Sequence, residues 1–416
     1  MTKVFFKNVS ALSLIQISNT LIPLLIIPYL TYIISPEHFA ELEFARYFCH
    51  FFTVVVNYGF DVTITRTIAN KKNNHRFISY LGSQVFYAKF LLLLFSSLVF
   101  VLLVQNTERW HEIQLLLYST FAINFGFLLF PQWLFQGLEK LIKVSMLHFI
   151  SKITMAILIV LLIREDSKYW VFNALQSLGL ILVGLYSFVL LKKYVNFRFF
   201  APSFSDIKKI TIRATPVFLS TVLIITPGLI YFFLIERFGT SRDLVAYSTA
   251  NKVIVSIQTI LLIPFSQAFF PMISRQVNES HELFERNIRK SAMVATGVGL
   301  LTGLFIYVFA SPIIRIIFGE AYLPAKHSLQ MLGFLPLVSI IANIYVFQAL
   351  LSLKKDQLFM KIYVVVILFN LLACFLFYKE ITAELTVVIR ILADVLLLIL
   401  GYYFYKKELK LHRNGN

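Results

Sequence analysis

Cysteine, charge and hydrophilic sequence are all scarce in this chain, and each shortage excludes something. Of 416 residues only 2 are cysteines, Cys49 and Cys374, each alone in an apolar stretch, so neither a disulfide framework nor a cysteine metal site is available. Charged residues make up 14%, and the longest hydrophilic break, 192–213, is barely a linker, which leaves no separate soluble domain. The chain has no glycine-rich phosphate loop with its lysine, so it does not hydrolyse ATP in that way, and no H-E-x-x-H or C-x-x-C motif to hold a metal. The outward loops are short, which argues against a membrane glycosyltransferase or polymerase that must hold an acceptor outside the bilayer. A cleavable leader is not expected either. The first apolar run continues to Ile34 without a small-residue cleavage site and reads as an uncleaved span.

What the chain does have is apolar: 58% hydrophobic residues, 43 of them Phe. About 20 apolar residues carry a helix across a bilayer. Twelve such stretches are expected, near 9–34, 40–65, 79–104, 113–135, 143–163, 169–191, 214–236, 244–271, 291–318, 328–353, 359–378 and 382–405. This predicts an all-α polytopic membrane protein of about 12 transmembrane helices. An even number puts both termini on one side. Counting basic residues by loop, 25 fall on the side of the termini and 7 on the other. The positive-inside rule then makes both termini cytoplasmic. The formal charge of +17 is dispersed over loops that serve topology and lipid headgroups, so membrane lipids are expected partners and nucleic acid is not. The sequon Asn278-Glu279-Ser280 would face the cytoplasm and carry no glycan.

A weak internal echo runs at a spacing near 205 residues, or six helices. Pro131 in the fourth span maps onto Pro336 in the tenth, and Pro23 lies one residue from matching Pro227. The openings of the second and eighth spans, Phe39 to Ala45 and Leu244 to Ala250, are also alike. Six is even, so the halves would share a topology, as transporter lobes do. Two six-helix lobes are expected, 1–200 and 201–416, joined by the 192–213 stretch.

Charges inside spans carry the functional information, because a charge in hydrocarbon costs at least ~2.5 kcal/mol and needs a partner or a wet cavity. In the second span Glu43, Arg46, His50, Thr53, Asn57 and Asp61 recur at spacings of 3 and 4, which predicts one polar helix face. The eighth span repeats this more quietly with Ser248, Lys252, Ser256, Thr259 and Ser266; the fifth adds Ser145, His148 and Lys152, and the third adds Lys89. Arg46, Lys89, Lys152 and Lys252 are the candidate cavity cations, and their surplus over nearby acids suggests an anionic cargo. Glu43, His50, Asp61, Arg390 and Asp394 are candidate ion-coupling or gating groups. Blander readings stand beside these: Arg390 and Asp394 as an i,i+4 pair that holds helices together, His50 and His148 as interior hydrogen bonders, Asp61 as a partner of Arg66. Pro23, Pro28, Pro216 and Pro227 are expected to break the first and seventh helices and act as hinges. No cofactor is expected, and a proton or sodium gradient is the candidate driving force.

Three stretches carry a resemblance. Asn57-Tyr58-Gly59-Phe60 followed by Thr65-Arg66-Thr67-Ile68-Ala69, the run Pro131 to Lys140, and Tyr247 to Lys252 with Pro271 resemble helix-end signatures of the Wzx-type flippases of bacterial surface polysaccharides. The similarity spans nearly the whole chain. It implies the multidrug/oligosaccharidyl-lipid/polysaccharide exporter fold, with two six-helix lobes forming a V around a central cavity. It also implies the cargo, an undecaprenyl-pyrophosphate-linked oligosaccharide turned from the inner to the outer leaflet of the bacterial inner membrane, and other polysaccharide-assembly membrane proteins as candidate partners. Arg46 and Lys252 match the second- and eighth-helix cavity cations of related flippases, while the first helix lacks the basic residue found there. A proton- or sodium-coupled drug exporter of the same fold is the competing reading. It would favour an acidic cavity, against which the surplus of cations argues.

Overall fold

The computed structural model describes residues 2–69, 71, 73–279 and 281–414, with the side chains of 2–13, 16–17, 66, 263–272, 274–276, 278–279, 281, 356 and 412–414 outside that description. The expected Asp61–Arg66 pair, the side chains of Ser266 and Pro271 and the sequon at 278–280 therefore lie outside the described residues. Among the described residues every regular element is helical. Hydrocarbon favours helices, since a helix satisfies each N–H and C=O within its own segment. Nine helices among these residues are long and apolar enough to cross a membrane. Their outer faces suit lipid: α12 (His281–Ile317) exposes Leu300, Leu301, Leu304, Phe305 and Val308. The chain is a multi-pass membrane protein.

It divides into two compact units, 1–225 and 226–416. The first holds α1 (Thr2–Ile33), α2 (Pro36–Asn57), α3 (Phe60–Ala69), α4 (His75–Asn106), α5 (Gln114–Phe121), α6 (Ile123–Leu129), α7 (Gln132–Gly137), α8 (Leu141–Leu162), α9 (Val171–Val195) and the first part of α10 (Phe204–Phe238). The division thus falls inside α10 and not in the polar linker before it. The second unit holds the rest of α10, α11 (Ser241–Glu279), α12, α13 (Lys326–Leu332), α14 (Leu335–Ala342), a π-helical turn Asn343–Ala349, α15 (Leu350–Ser352), α16 (Asp356–Phe377) and α17 (Ala383–Asn414). Among the described residues the twelve expected spans appear as twelve helical segments, with the second, fourth and tenth interrupted.

Helix starts follow the sequence. Ser35 caps α2, its Oγ accepting from the His38 amide, and Pro36 takes the first helical position where a missing N–H does no harm. Both α10 and α11 open on reciprocal boxes. The Ser203 hydroxyl and Asp206 carboxylate accept from each other's amides at 3.2 and 3.3 Å, and Thr240 and Asp243 do the same at 3.1 Å.

Each unit packs its helices by the same scheme, offset by six segments. In the first, α2 lies against α4 and the fourth segment, the fourth segment against α9, and α8 against both α9 and α1. In the second, α11 lies against α12 and the tenth segment, the tenth against α17, and α16 against α17. The Tyr231 hydroxyl of α10 donates to Asn370 of α16. The first unit's core gathers Phe60, Ile64, Val85, Phe86, Trp133 and Phe135 from α3, α4 and α7.

The interruptions differ from expectation. Prolines 23 and 28 do not break α1, nor do prolines 216 and 227 break α10; both helices run through them. The fourth segment breaks instead at Pro131, before which Phe130 is extended at φ −94°, ψ 94°, as a residue preceding proline prefers. Its counterpart in the echo, Pro336, lies in the first turn of α14, where the tenth segment resumes. The second span breaks at Tyr58 (φ 48°) and Gly59 (φ 74°). A Cβ on Gly59 would also meet Val217 at 2.8 Å, so both the dihedral and the space call for glycine. Tyr58 anchors this turn by stacking on Phe218 with ring centroids 4.2 Å apart. The polar face read from Glu43 to Asp61 therefore belongs to two helices and not one: it ends at Asn57, and Asp61 starts afresh in α3.

Candidate functional site

In the first unit the second-span polar residues separate by depth. Glu43 and Thr53 are buried, while Arg46 and His50 are exposed. Arg46 is 44% exposed, with one guanidinium arm bound to the Glu43 carboxylate a turn earlier and the guanidinium 5.6 Å from the Tyr47 ring centre. Its field reaches Lys152 on α8 and His50 on its own helix. Lys152 donates to the Gln176 amide oxygen of α9 at 2.5 Å, and its field in turn reaches His148. The ring of His148 stacks on Phe130, and its Nε2 lies 3.0 Å from Asn19 Oδ1 of α1. Lys152 and His148, one turn apart on α8, are thus held by neutral amides from α9 and α1.

Lys89 does something different. It is 1% exposed, and its Nζ donates to the Phe127 carbonyl at 2.8 Å. Phe127 is four residues before Pro131, so its carbonyl is the one that the missing proline N–H would have satisfied. The ammonium stands in for that N–H and closes the break between α6 and α7. Asp61 is the acid whose field reaches Lys89.

The second unit holds its charges in hydrogen bonds, with Lys252 buried and Arg390 and Asp394 half-buried. Lys252 is 7% exposed on α11. Arg390 of α17 donates to Asn251 Oδ1 at 2.5 Å and to the Tyr247 hydroxyl at 3.4 Å. One turn along α17, Asp394 accepts from Ser339 at 2.8 Å, and Ser339 accepts from Gln258 of α11 at 2.9 Å. The field of Arg390 reaches Asp394 across that turn. The quiet stripe of α11 is partly internal housekeeping: Ser256 and Thr259 each donate at 2.8 Å to the carbonyl four residues back.

Sequence reasoning singled out the charged members of both groups and passed over their neutral partners. Asn19, Gln176, Asn251, Gln258 and Ser339 carry no charge and barely dent the hydropathy of a span. The available signal was an amide within an apolar run, since such a group must find a partner there.

The fold is that of the multidrug and toxic-compound extrusion transporters of the multidrug/oligosaccharidyl-lipid/polysaccharide exporter superfamily. A structure described as the inward-facing conformation of a multidrug resistance transporter of that family superposes with a TM-score of 0.72 at 13% identity, covering 98% of this chain and 99% of the other. A Vibrio cholerae transporter of the same family superposes with a TM-score of 0.57 at 14% identity, covering 99% and 98%. At such identities the likeness concerns fold alone. The family model described as "Polysaccharide biosynthesis protein" matches residues 5–277, and the chain belongs to that family. Two relatives carry the name "Putative O-antigen transporter": one from Escherichia coli strain K12, 24% identical over 91% of this chain and 92% of its own length, and one from Shigella dysenteriae, 28% identical over 89% and 92%. The chain is therefore a membrane protein of polysaccharide biosynthesis built on a transporter fold.

Proposed function

We propose that the chain translocates undecaprenyl-pyrophosphate-linked oligosaccharide repeat units from the cytoplasmic to the outer leaflet of the bacterial inner membrane by alternating access. The observation that carries this is the exposed guanidinium of Arg46 on α2, with Lys152 of α8 held by the Gln176 amide as a second cation of the same unit. A pyrophosphate with sugar hydroxyls cannot cross hydrocarbon bare, so it needs cations and neutral amides along its path. Arg46 can hold phosphate oxygens in a fork with the donors that do not face Glu43, and Lys152 adds a point charge. Asn19, Gln176 and His148 offer partners for hydroxyls. Lys252 is the second unit's candidate contact for the same headgroup. The relatives' names and the family description agree with a cargo of surface polysaccharide precursor.

Both termini are taken as cytoplasmic from the distribution of basic residues. A proton or sodium gradient is the proposed driving force, with Asp394, held by Ser339 inside the second unit, as the leading coupling group and Glu43, His50, Asp61 and Arg390 as further candidates. Bending of α1 at Pro23 and Pro28 and of α10 at Pro216 and Pro227, where each proline leaves one carbonyl without its helical donor, is the proposed hinge motion. A drug exporter shares the fold, but a cation pair suits an anionic cargo better than a cationic drug.

The test is complementation of a strain lacking its own repeat-unit flippase, with surface polysaccharide normalised to membrane protein level. The wild-type chain should restore polymer in a strain whose glycan it accepts, and its removal from its own host should strand lipid-linked units on the inner leaflet. Normal surface polymer without it, where no second flippase exists, would refute the function. The double variant Glu43→Gln with Arg46→Gln separates headgroup binding from simple charge neutralisation: recovery to near wild type would show that Arg46 only balances Glu43.

A further inference from the structure

A second surface of mixed character lies in the second unit, at the far end of α17. Lys407 is 13 residues beyond Asp394, or about 20 Å along the helix. A groove of about 880 Å³ runs there between α17 and the tenth segment. Tyr345 forms one wall, Ile399 and Tyr403 the other, and Lys406, Lys407 and Lys410 line its end.

Close packing shapes this groove. At Gly401 the bare backbone of α17 packs directly on the Val346 side chain of the π-helical turn, leaving no room for a Cβ. Beyond that point aromatic rings take over. Tyr345 meets Tyr402 edge-on with centroids 5.1 Å apart and Tyr405 at 5.4 Å, which fills the floor and holds the two elements apart at the mouth. The charges at the mouth are unbalanced. Lys406 is bound to Glu285 at 3.1 Å and Glu408 to Lys355 at 2.7 Å, so the neighbouring acids already have partners. Lys407 and Lys410 are exposed, with no carboxylate partner among the described residues.

We propose that this groove holds one anionic phospholipid of the surrounding bilayer, its acyl chain along Tyr345, Ile399 and Tyr403 and its phosphate at Lys407 and Lys410. Helix-terminal tyrosines and lysines are the residues that meet the headgroup layer of a membrane, and this end of α17 carries both. A free anion would gain only two exposed cations, a weak attraction in water. An uncharged lipid would gain only the walls. An anionic phospholipid gains both, and the groove gives it a bed that a smooth helix face does not. This site is independent of the cargo path proposed above.

The experiment uses the purified full chain in nanodiscs of phosphatidylcholine, alone or with increasing phosphatidylglycerol. Native mass spectrometry reads lipid retention and a thermal melt reads stability. Phosphatidylglycerol should be retained in preference and should raise the melting midpoint. In Lys407→Gln with Lys410→Gln that preference should fall by roughly tenfold or more, as expected for two cations near an anionic surface. The variant's midpoint in phosphatidylcholine alone should match wild type. Equal retention of the two lipids, a preference unchanged in the variant, or an equal midpoint shift from inorganic phosphate would overturn the proposal. So would displacement of phosphatidylglycerol by farnesyl pyrophosphate at far lower concentration, which would reassign the groove to a polyprenyl cargo.

Discussion

The two units share a packing scheme and use it differently. In the first, two cations of the polar region remain reachable: Arg46 is 44% exposed beside Glu43, and Lys152 is half-buried against the Gln176 amide. In the second, Arg390, Asp394 and Lys252 sit within interior polar contacts, with Asp394 in a chain from Gln258 through Ser339. A broken helix is likewise closed by different means. The fourth segment breaks at Pro131 and recruits a lysine to the freed carbonyl, whereas the tenth resumes at Leu335 and widens into a π turn at Asn343–Ala349. Similar packing can therefore hold charge differently: the first unit leaves Arg46 exposed while burying Lys89, and the second ties Arg390 and Asp394, both half-buried, into side-chain hydrogen bonds. The first arrangement suits a bound headgroup, the second a switch or a brace.

The largest expected effect comes from removing the reachable charge. Arg46→Ala and Lys152→Ala should each lower polysaccharide output roughly ten- to hundredfold at normal membrane abundance, the equivalent of a charge-assisted hydrogen bond or two. Arg46→Lys should fall between them and wild type, because it keeps the charge and loses the fork. Equal output from all three would erase the functional contrast between the units.

Next is the brace at the helix break. Lys89→Met should destabilise the protein by about 1–3 kcal/mol, the cost of a buried carbonyl left without a donor. Thermal melts of purified protein would report it, and adding Pro131→Ala should recover part of the loss by supplying an N–H at the fourth residue. A variant with wild-type stability but no transport would move Lys89 into the cargo path.

In the second unit, Asp394→Asn keeps the shape and can still accept from Ser339. If Asp394 couples an ion, transport in proteoliposomes should lose its response to an imposed proton or sodium gradient, with little change in melting. An unaltered gradient response would leave the pair on α17 as a brace. The smallest effect should come from Ser339→Ala, about 1 kcal/mol for one neutral hydrogen bond, read as a lowered midpoint without loss of transport.

How much was legible beforehand follows from the physics of each feature. The twelve segments were readable because about 20 apolar residues is the length a bilayer imposes. The candidate cations were readable because charge inside a span is rare and costly. The signature at Asn57 to Phe60 was visible as a pattern, yet periodicity alone carried the helix straight through it. Only the docking of Tyr58 and Gly59 on Phe218 and Val217 turns the chain there.

Prolines misled for a related reason. A proline always removes a donor, but whether the helix runs on through it, as in α1 and α10, or stops, as at Pro131, depends on what else meets the freed carbonyl. Lys89 illustrates the limit most clearly. Its charge and depth could be read from the one-dimensional chain, while its partner, 38 residues away on another helix, could not. Hydropathy and charge act residue by residue and so dictated the membrane, the segments and which side chains needed partners; which partner each one found was a matter of distance between helices, and packing alone decided it.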